Sequence, residues 1–189
     1  MINNKHKFIF LHIGKCAGSS IKSALNSSCE GCEYSNGHPT LDFLYSKILP
    51  THSPSDYFKF SVTRNPWDRV VSLYHHMTTV TKRWPNNPEK RKIQFNGTFE
   101  EFVNKTTYVN TDYFELDYII RYESLQHDFN IVCDRLNIKQ IKLPCIDYDT
   151  GRPARNYQSY YNAKLQQIVA EKYAKDIEMF KYKFEVKKC

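Results

Sequence analysis

The sequence predicts an α/β fold, a P-loop-like three-layer α/β/α domain around a mainly parallel central sheet. Three observations predict it. Short apolar or alternating runs at 7–13, 57–63 and 117–121 read as strands. Each is followed, after a turn, by a segment whose apolar residues stand at helical spacing. The junctions after the first two runs are a small-residue loop and an Asn-Pro helix start. Such alternation favours a parallel sheet, because parallel neighbours need a crossover connection and a helix supplies it.

Residues 7–13 (KFIFLHI) form a short apolar run, a buried strand, and 14–20 (GKCAGSS) the loop that follows. Ile21 and Leu25, four apart, mark a short helix from about 19 to 26. Residues 28–40 are turn-rich, and Leu41, Leu44, Tyr45 and Ile48 recur at helical spacing. Residues 57–63 (YFKFSVT) alternate Phe58, Phe60 and Val62, a strand pattern. Asn65 then caps a helix with Pro66 at its first position and Val70, Val71, Tyr74 and Met77 on one side. Residues 82–97 are polar and read as an exposed excursion. Thr98 and Glu101 form a capping box opening a short helix. Residues 117–121 (DYIIR) give the third strand, and Leu125, Phe129, Val132 and Leu136 the next helix. An irregular basic segment at 139–157 precedes a last helix over 163–180.

With 189 residues, and roughly 150 per domain, one domain over 1–189 is expected. An apolar share of 41% and a charged share of 25% exclude a wholly disordered or low-complexity chain. Lys and Arg number 27 against 20 Asp and Glu, a net +7 that favours anionic partners without choosing among them. A solvated basic face is the plain alternative. No recognised nucleic-acid motif accompanies the charge, so no nucleic-acid partner is expected. No apolar run approaches the roughly 18 residues of a membrane span, so no stable membrane insertion is expected. No secretory leader is visible either; a cytoplasmic protein is expected, with a fragment of a lumenal one as the alternative. Cys29 and Cys32 form a single CxxC without the second pair of a zinc site, so reduced thiols or one local disulfide are expected, and a zinc site borrowing His38 is a remote alternative. Three glycosylation sequons, at Asn26, Asn96 and Asn104, matter only in a secreted protein.

The loop after the first strand is the sharpest chemical signal. Small residues allow a tight turn, so successive N–H groups can converge on one concavity. A helix starts at once and adds its dipole and its unsatisfied N–H donors. Lys15 brings a mobile positive charge, and Ser19 and Ser20 bring hydroxyls. These are the parts of a phosphate cradle, although the spacing of G-x-x-x-x-G-K-[ST] is missing, which argues against a nucleoside triphosphate kinase. The second signal is 64–72 (RNPWDRVVS). Arg64 stands at a strand end, where ligands of such sheets bind, and its fork suits a phosphate. Ser72 lies two turns into the next helix. Trp67 reads as core, and Asp68 and Arg69 as structural charges.

With both motifs in view, the chain resembles the sulfotransferases that use 3′-phosphoadenosine 5′-phosphosulfate. Within them it resembles the carbohydrate O-sulfotransferase branch, its short single-domain members and the uronyl 2-O-sulfotransferases. FLHIGKCAGSSI resembles the 5′-phosphosulfate loop and FSVTRNPWDRVVSLY the 3′-phosphate motif. DYIIRYESLQHDF and YQSYYNAKLQQIVAEKYAKDIEMFKYKF resemble later blocks. The resemblance implies that Lys15 steadies the leaving oxygen while Gly14, Cys16, Ala17, Gly18, Ser19 and Ser20 wrap the 5′-phosphate. It implies that Arg64 and Ser72 hold the 3′-phosphate, with Arg152 and Arg155 closing over the donor. It further implies a hydroxyl acceptor, a saccharide by class, and no metal.

GHPTLDF resembles the segment that carries a histidine base, which makes His38 the candidate general base. An imidazole with a pKa near 6.5 suits that work at neutral pH. Glu30 and Glu33 are the carboxylate alternatives, and His52, His75 and His76 weaker rivals. His12, in the first strand, reads as core with a place near the site as the alternative. Two departures stand out: Gly14 where the family loop usually has Pro, and Cys16 where it has Thr, a weak thiol donor beside Lys15 in place of a hydroxyl. The competing function is a non-catalytic module that binds anionic glycans or nucleotides with a decayed site.

Overall fold

The computed structural model describes residues 1–33, 37–48, 51–106, 113, 115–146 and 156–184. The chain folds as two compact units, Met1–Arg64 with Thr111–Asp147, and Asn65–Asn110 with Tyr148–Cys189.

The first unit holds the sheet. Its strands are β1 (Ile2–Asn3), β2 (Phe8–Leu11), β3 (Cys32–Glu33), β4 (Phe58–Thr63) and β5 (Tyr118–Arg121). Their order is β3-β1-β2-β4-β5. β2 pairs with β4, and β4 with β5, in parallel; β1 pairs with β2 and β3 antiparallel. The sheet is therefore mixed, parallel only across β2, β4 and β5. The two antiparallel strands are two residues long, too short for any alternation to show in the sequence.

Helices α1 (Gly18–Ser28) and α2 (Leu41–Ile48) lie between the first strands, and α6 (Leu125–Arg135) follows β5. Register sorts the side chains. Phe8, Phe10, Phe58 and Phe60 share one face, with ring centroids 5.2–5.8 Å apart between Phe60 and the other three. Arg135 of α6 lays its guanidinium over Phe58 and Tyr118 on that face. Ile9 and Leu11 point the other way, into a cluster with Leu41, Leu44 and Ile48 of α2. All four residues of β2 are buried, as a strand covered on both faces must be. The Ser61 hydroxyl donates to the Leu11 carbonyl at 2.7 Å, which ties the carboxyl ends of β2 and β4 together.

The second unit is helical. It contains α3 (Pro66–Arg83), α4 (Pro88–Lys92), α5 (Phe99–Lys105), α7 (Ala163–Lys172) and α8 (Ala174–Phe180). Asn65 caps α3 by accepting from the N–H groups of Trp67 and Asp68, with Pro66 at the first position. Thr98 and Glu101 make the capping box of α5. Trp67 is buried and donates from Nε1 to the Gln166 carbonyl. Arg69 lies over the Tyr173 ring, 6.0 Å from its centroid. The helix expected over 163–180 is broken at Tyr173 into α7 and α8. Part of the excursion expected at 82–97 is helical, as α4.

Candidate functional site

The chain leaves β2 at His12 and enters α1 at Gly18. Between them Lys15 (φ 65°) and Ala17 (φ 58°) take left-handed backbone, and Cys16 does not. Left-handed residues alternating with ordinary ones turn successive N–H groups to one side, the geometry of an anion nest. Each costs an L-residue about 1–2 kcal/mol; Cys16 between them and Ile13 just before the loop are buried. The α1 N-cap, Ala17, supplies no side-chain cap, and no acidic residue stands in the first turn. No carboxylate of that turn answers the positive end of the helix.

The two glycines serve another purpose than the tight turn expected of them: neither has positive φ. Both admit a histidine ring. A Cβ on Gly14 would stand 3.3 Å from His38 Nε2. A Cβ on Gly18 would overlap the His12 ring, 1.8 Å from Cδ2 and 2.1 Å from Nε2.

His38 is exposed, and its Nδ1 lies 3.0 Å from the His12 carbonyl oxygen. A carbonyl only accepts, so neutral His38 carries its hydrogen on Nδ1 and its lone pair on Nε2. The His12 and His38 rings meet edge to face, with centroids 4.5 Å apart at 71°. His12 stacks on Phe10 at 6.2 Å, and its Nδ1 is buried without a hydrogen-bond partner. Burial, and then the positive surroundings of His38, Lys22, the N-terminal ammonium and Lys15, hold its pKa down to about 3.

Arg64, the residue after β4, is 8% exposed. Its guanidinium donates to the Lys15 carbonyl at 2.8 Å and lies 4.0 Å from the centroid of Tyr122. The second motif thus reaches the backbone of the first. Tyr122 follows β5 directly; a position just past a strand's carboxyl end was the available signal for it. The Ser20 hydroxyl accepts from the Ile146 N–H at 3.4 Å, which brings the segment after α6 to the start of α1. Cys16 is buried, and its thiol donates weakly to the Gly14 carbonyl at 3.6 Å rather than standing open beside Lys15. Gly14, Lys15, Cys16, Ala17, Gly18, Ser19, Ser20, His38 and Arg64 all belong to the first unit. Ser72 is buried on α3 in the second. Arg152 and Arg155 lie outside the described residues.

The rival bases are engaged elsewhere. Glu30 pairs with Lys5 at 3.1 Å, and Glu33 accepts from Asn4 at 3.1 Å. Both partners sit in the turn before β2, at the end of that strand opposite the loop. His52 Nδ1 meets the Thr51 hydroxyl at 2.8 Å. In the second unit, His75 Nε2 meets the Tyr160 hydroxyl at 2.8 Å, and the His76 ring stands edge-on to Trp84.

Cys29 and Cys32 are free thiols, and burial with the neighbouring Cys32 and Cys133 pushes Cys29 up to about 11. Among the described residues no group of three or more His, Cys, Asp or Glu is placed to hold a metal ion. Among them, too, no helix is long and apolar enough to cross a membrane.

No curated protein and no solved structure matches the chain. The model of the sulfotransferase family matches residues 1–183, nearly the whole length and both units. The chain belongs to the sulfotransferase family.

Proposed function

We propose that this chain moves a sulfuryl group from 3′-phosphoadenosine 5′-phosphosulfate to a hydroxyl of a saccharide, as a member of the carbohydrate O-sulfotransferase branch. The observation that carries the reading is the meeting of Arg64 with the Lys15 carbonyl at 2.8 Å, beside a loop into which His38 is packed against Gly14. An anion nest, a helix start without an acidic cap, a lysine and an anchored guanidinium suit a donor that carries phosphate at both ends.

In this reading, the loop from Gly14 to Ser20 works as a P-loop-like cradle for the 5′-phosphate. The donor supplies an activated S–O bond. Lys15 places its ammonium at the bridging oxygen, where charge develops as that bond breaks. His38 Nε2 takes the proton of the acceptor hydroxyl as the new O–S bond forms, and Nδ1–H stays on the His12 carbonyl. Arg64, held by the loop carbonyl and the Tyr122 face, offers the 3′-phosphate a pre-oriented guanidinium. Positioning and electrostatics do most of the work in such transfers, as in phosphoryl transfer. We also take both units to make one sulfotransferase domain, since the family match runs across both. The net +7 favours an acidic saccharide over a neutral one.

The test is transfer of labelled sulfate from the donor to a panel of glycans, peptides and small alcohols, using the wild type, Lys15→Ala and His38→Ala. Turnover on a saccharide that both substitutions abolish, with the fold intact, is the expected result. Donor binding without turnover on any acceptor would instead favour a non-catalytic module.

A further inference from the structure

Lys22 lies on α1, four residues past Gly18 and so on the same face of the helix, one turn on. That face covers His12, whose ring stands where a Cβ of Gly18 would be. Helical side chains lean towards the N-terminus of their helix, and Lys22 is close enough to His12 to help lower its pKa. The lysine is half-buried, and among the described residues it makes no hydrogen bond and no ion pair. α1 carries no Asp or Glu that could answer the charge at helical spacing. Glu30, just past its end, is paired with Lys5. His12 is neutral and gives no counter-charge. A lysine that only covers apolar surface keeps its ammonium in water and its ordinary pKa. Here burial pushes the Lys22 pKa down, and no carboxylate pulls it back. A partly desolvated cation without a counter-charge destabilises the empty fold, and an anion arriving from outside would relieve that.

We propose that Lys22 is a specificity-determining residue: from the face of α1 over His12, its ammonium takes an anionic substituent of the acceptor saccharide, a carboxylate or a sulfate ester, and so selects acidic acceptors. Its placement separates this role from donor binding. The phosphates of the donor belong at the helix start, where the loop N–H groups converge, and Lys22 stands one turn further in. His12 joins Lys22 to the acceptor side, because the same ring meets His38, the base that must face the acceptor hydroxyl, with centroids 4.5 Å apart. An ammonium is a compact charge on a flexible stem, so it suits either anion without the planar fit an arginine demands. The inference rests on the reading of the chain as a transferase acting on a saccharide, and the experiment separates the two.

Three oligosaccharides of equal length serve as probes: one neutral, one with carboxylates and no sulfate, one with sulfate esters and no carboxylate. Calorimetry at fixed ionic strength, with 3′-phosphoadenosine 5′-phosphate present, gives their dissociation constants for the wild type, Lys22→Met and Lys22→Arg. The wild type is expected to bind at least one anionic probe about tenfold more tightly than the neutral one, and that probe names the substituent. Lys22→Met keeps the length of the stem without its charge; it should lose the preference and bind the neutral probe as before. Lys22→Arg should keep most of the preference. Removing an unanswered charge should leave the Tm of Lys22→Met at or above the wild-type value, and the rise in Tm with the nucleotide should be unchanged. The proposal is overturned if the wild type prefers neither anionic probe, or if Lys22→Met keeps the preference. A clear fall in the Tm of Lys22→Met would also overturn it, because the ammonium would then be answered within the fold. So would loss of the nucleotide's effect, which would place Lys22 in the donor cradle. A Lys22-dependent preference without sulfuryl transfer to any saccharide would defeat the transferase reading and leave the anion subsite standing. Transfer to saccharides with a preference indifferent to Lys22 would do the reverse.

Discussion

Replacing Gly18 with alanine would put a methyl group where the His12 imidazole already stands. The added Cβ would overlap the edge of the ring, 1.8 Å from Cδ2 and 2.1 Å from Nε2, with Cγ at 2.8 Å. An ordinary contact needs roughly 3.5–4.0 Å between carbons, so the ring must move by more than an ångström. It has nowhere cheap to go, because Phe10 stacks on it and His38 abuts it. Overpacking of this kind costs about 1–3 kcal/mol. Alanine returns up to about 1 kcal/mol of helix propensity at the start of α1, which leaves a net loss near 2 kcal/mol at the upper end. For a chain of this length that corresponds to a fall in Tm of about 4–8 °C. Differential scanning calorimetry measures it, and sulfuryl transfer measured alongside should fall further than stability alone explains, since the displaced ring carries His38 with it. A Gly18→Ala protein that melts at the wild-type temperature or above and keeps full turnover would refute the close approach of His12 to the loop.

Three further predictions concern His12, Arg64 and Cys16. His12 has a folded-state pKa far below its unfolded value, so the unfolded chain binds the proton first; stability is full above about pH 6.5 and is lost as pH falls towards 3. Between pH 6.5 and 5 this amounts to up to about 2 kcal/mol, and urea unfolding of His12→Gln should show that much less pH dependence than the wild type; identical slopes would mean that His12 is not held neutral. Arg64→Lys loses the hydrogen bond to the Lys15 carbonyl and the stacking on Tyr122, so chemical denaturation should show a loss of about 2–3 kcal/mol; an unchanged midpoint would mean the guanidinium is not anchored to the loop. Cys16→Thr should preserve donor affinity by calorimetry, because a hydroxyl can replace the thiol's weak donation to the Gly14 carbonyl; severe loss would contradict this.

Much of the fold was legible because its signals are local. The alternation at 57–63, the Asn65-Pro66 start and the Thr98–Glu101 box each depend on neighbours a few residues apart, and the structure has β4, α3 and α5 there. The antiparallel strands β1 and β3 were not legible, since two residues carry no period. The break at Tyr173 was hidden because the apolar stripe of 163–180 runs through it. In the site, the strand–loop–helix and the strand-end arginine could be read, but not the reason for the glycines. Gly14 and Gly18 are needed for rings at His38 and His12, contacts that depend on the tertiary fold, and the strained backbone sits instead at Lys15 and Ala17. His12 was read as core because it lies within the apolar run 7–13, and such a run does not show where the strand stops; β2 ends one residue before it.

The central claim is that a lysine loop and an arginine just past the neighbouring parallel strand grip one donor through two phosphates. Thermal denaturation with 3′-phosphoadenosine 5′-phosphate and with AMP, at matched concentrations, tests it most directly, because at one concentration the ligand that binds the native state more tightly raises Tm further. The account predicts a clear rise in Tm with the 3′-phosphorylated nucleotide, a much smaller one with AMP, and loss of the difference in Arg64→Lys. Equal protection by the two nucleotides in the wild type would contradict it.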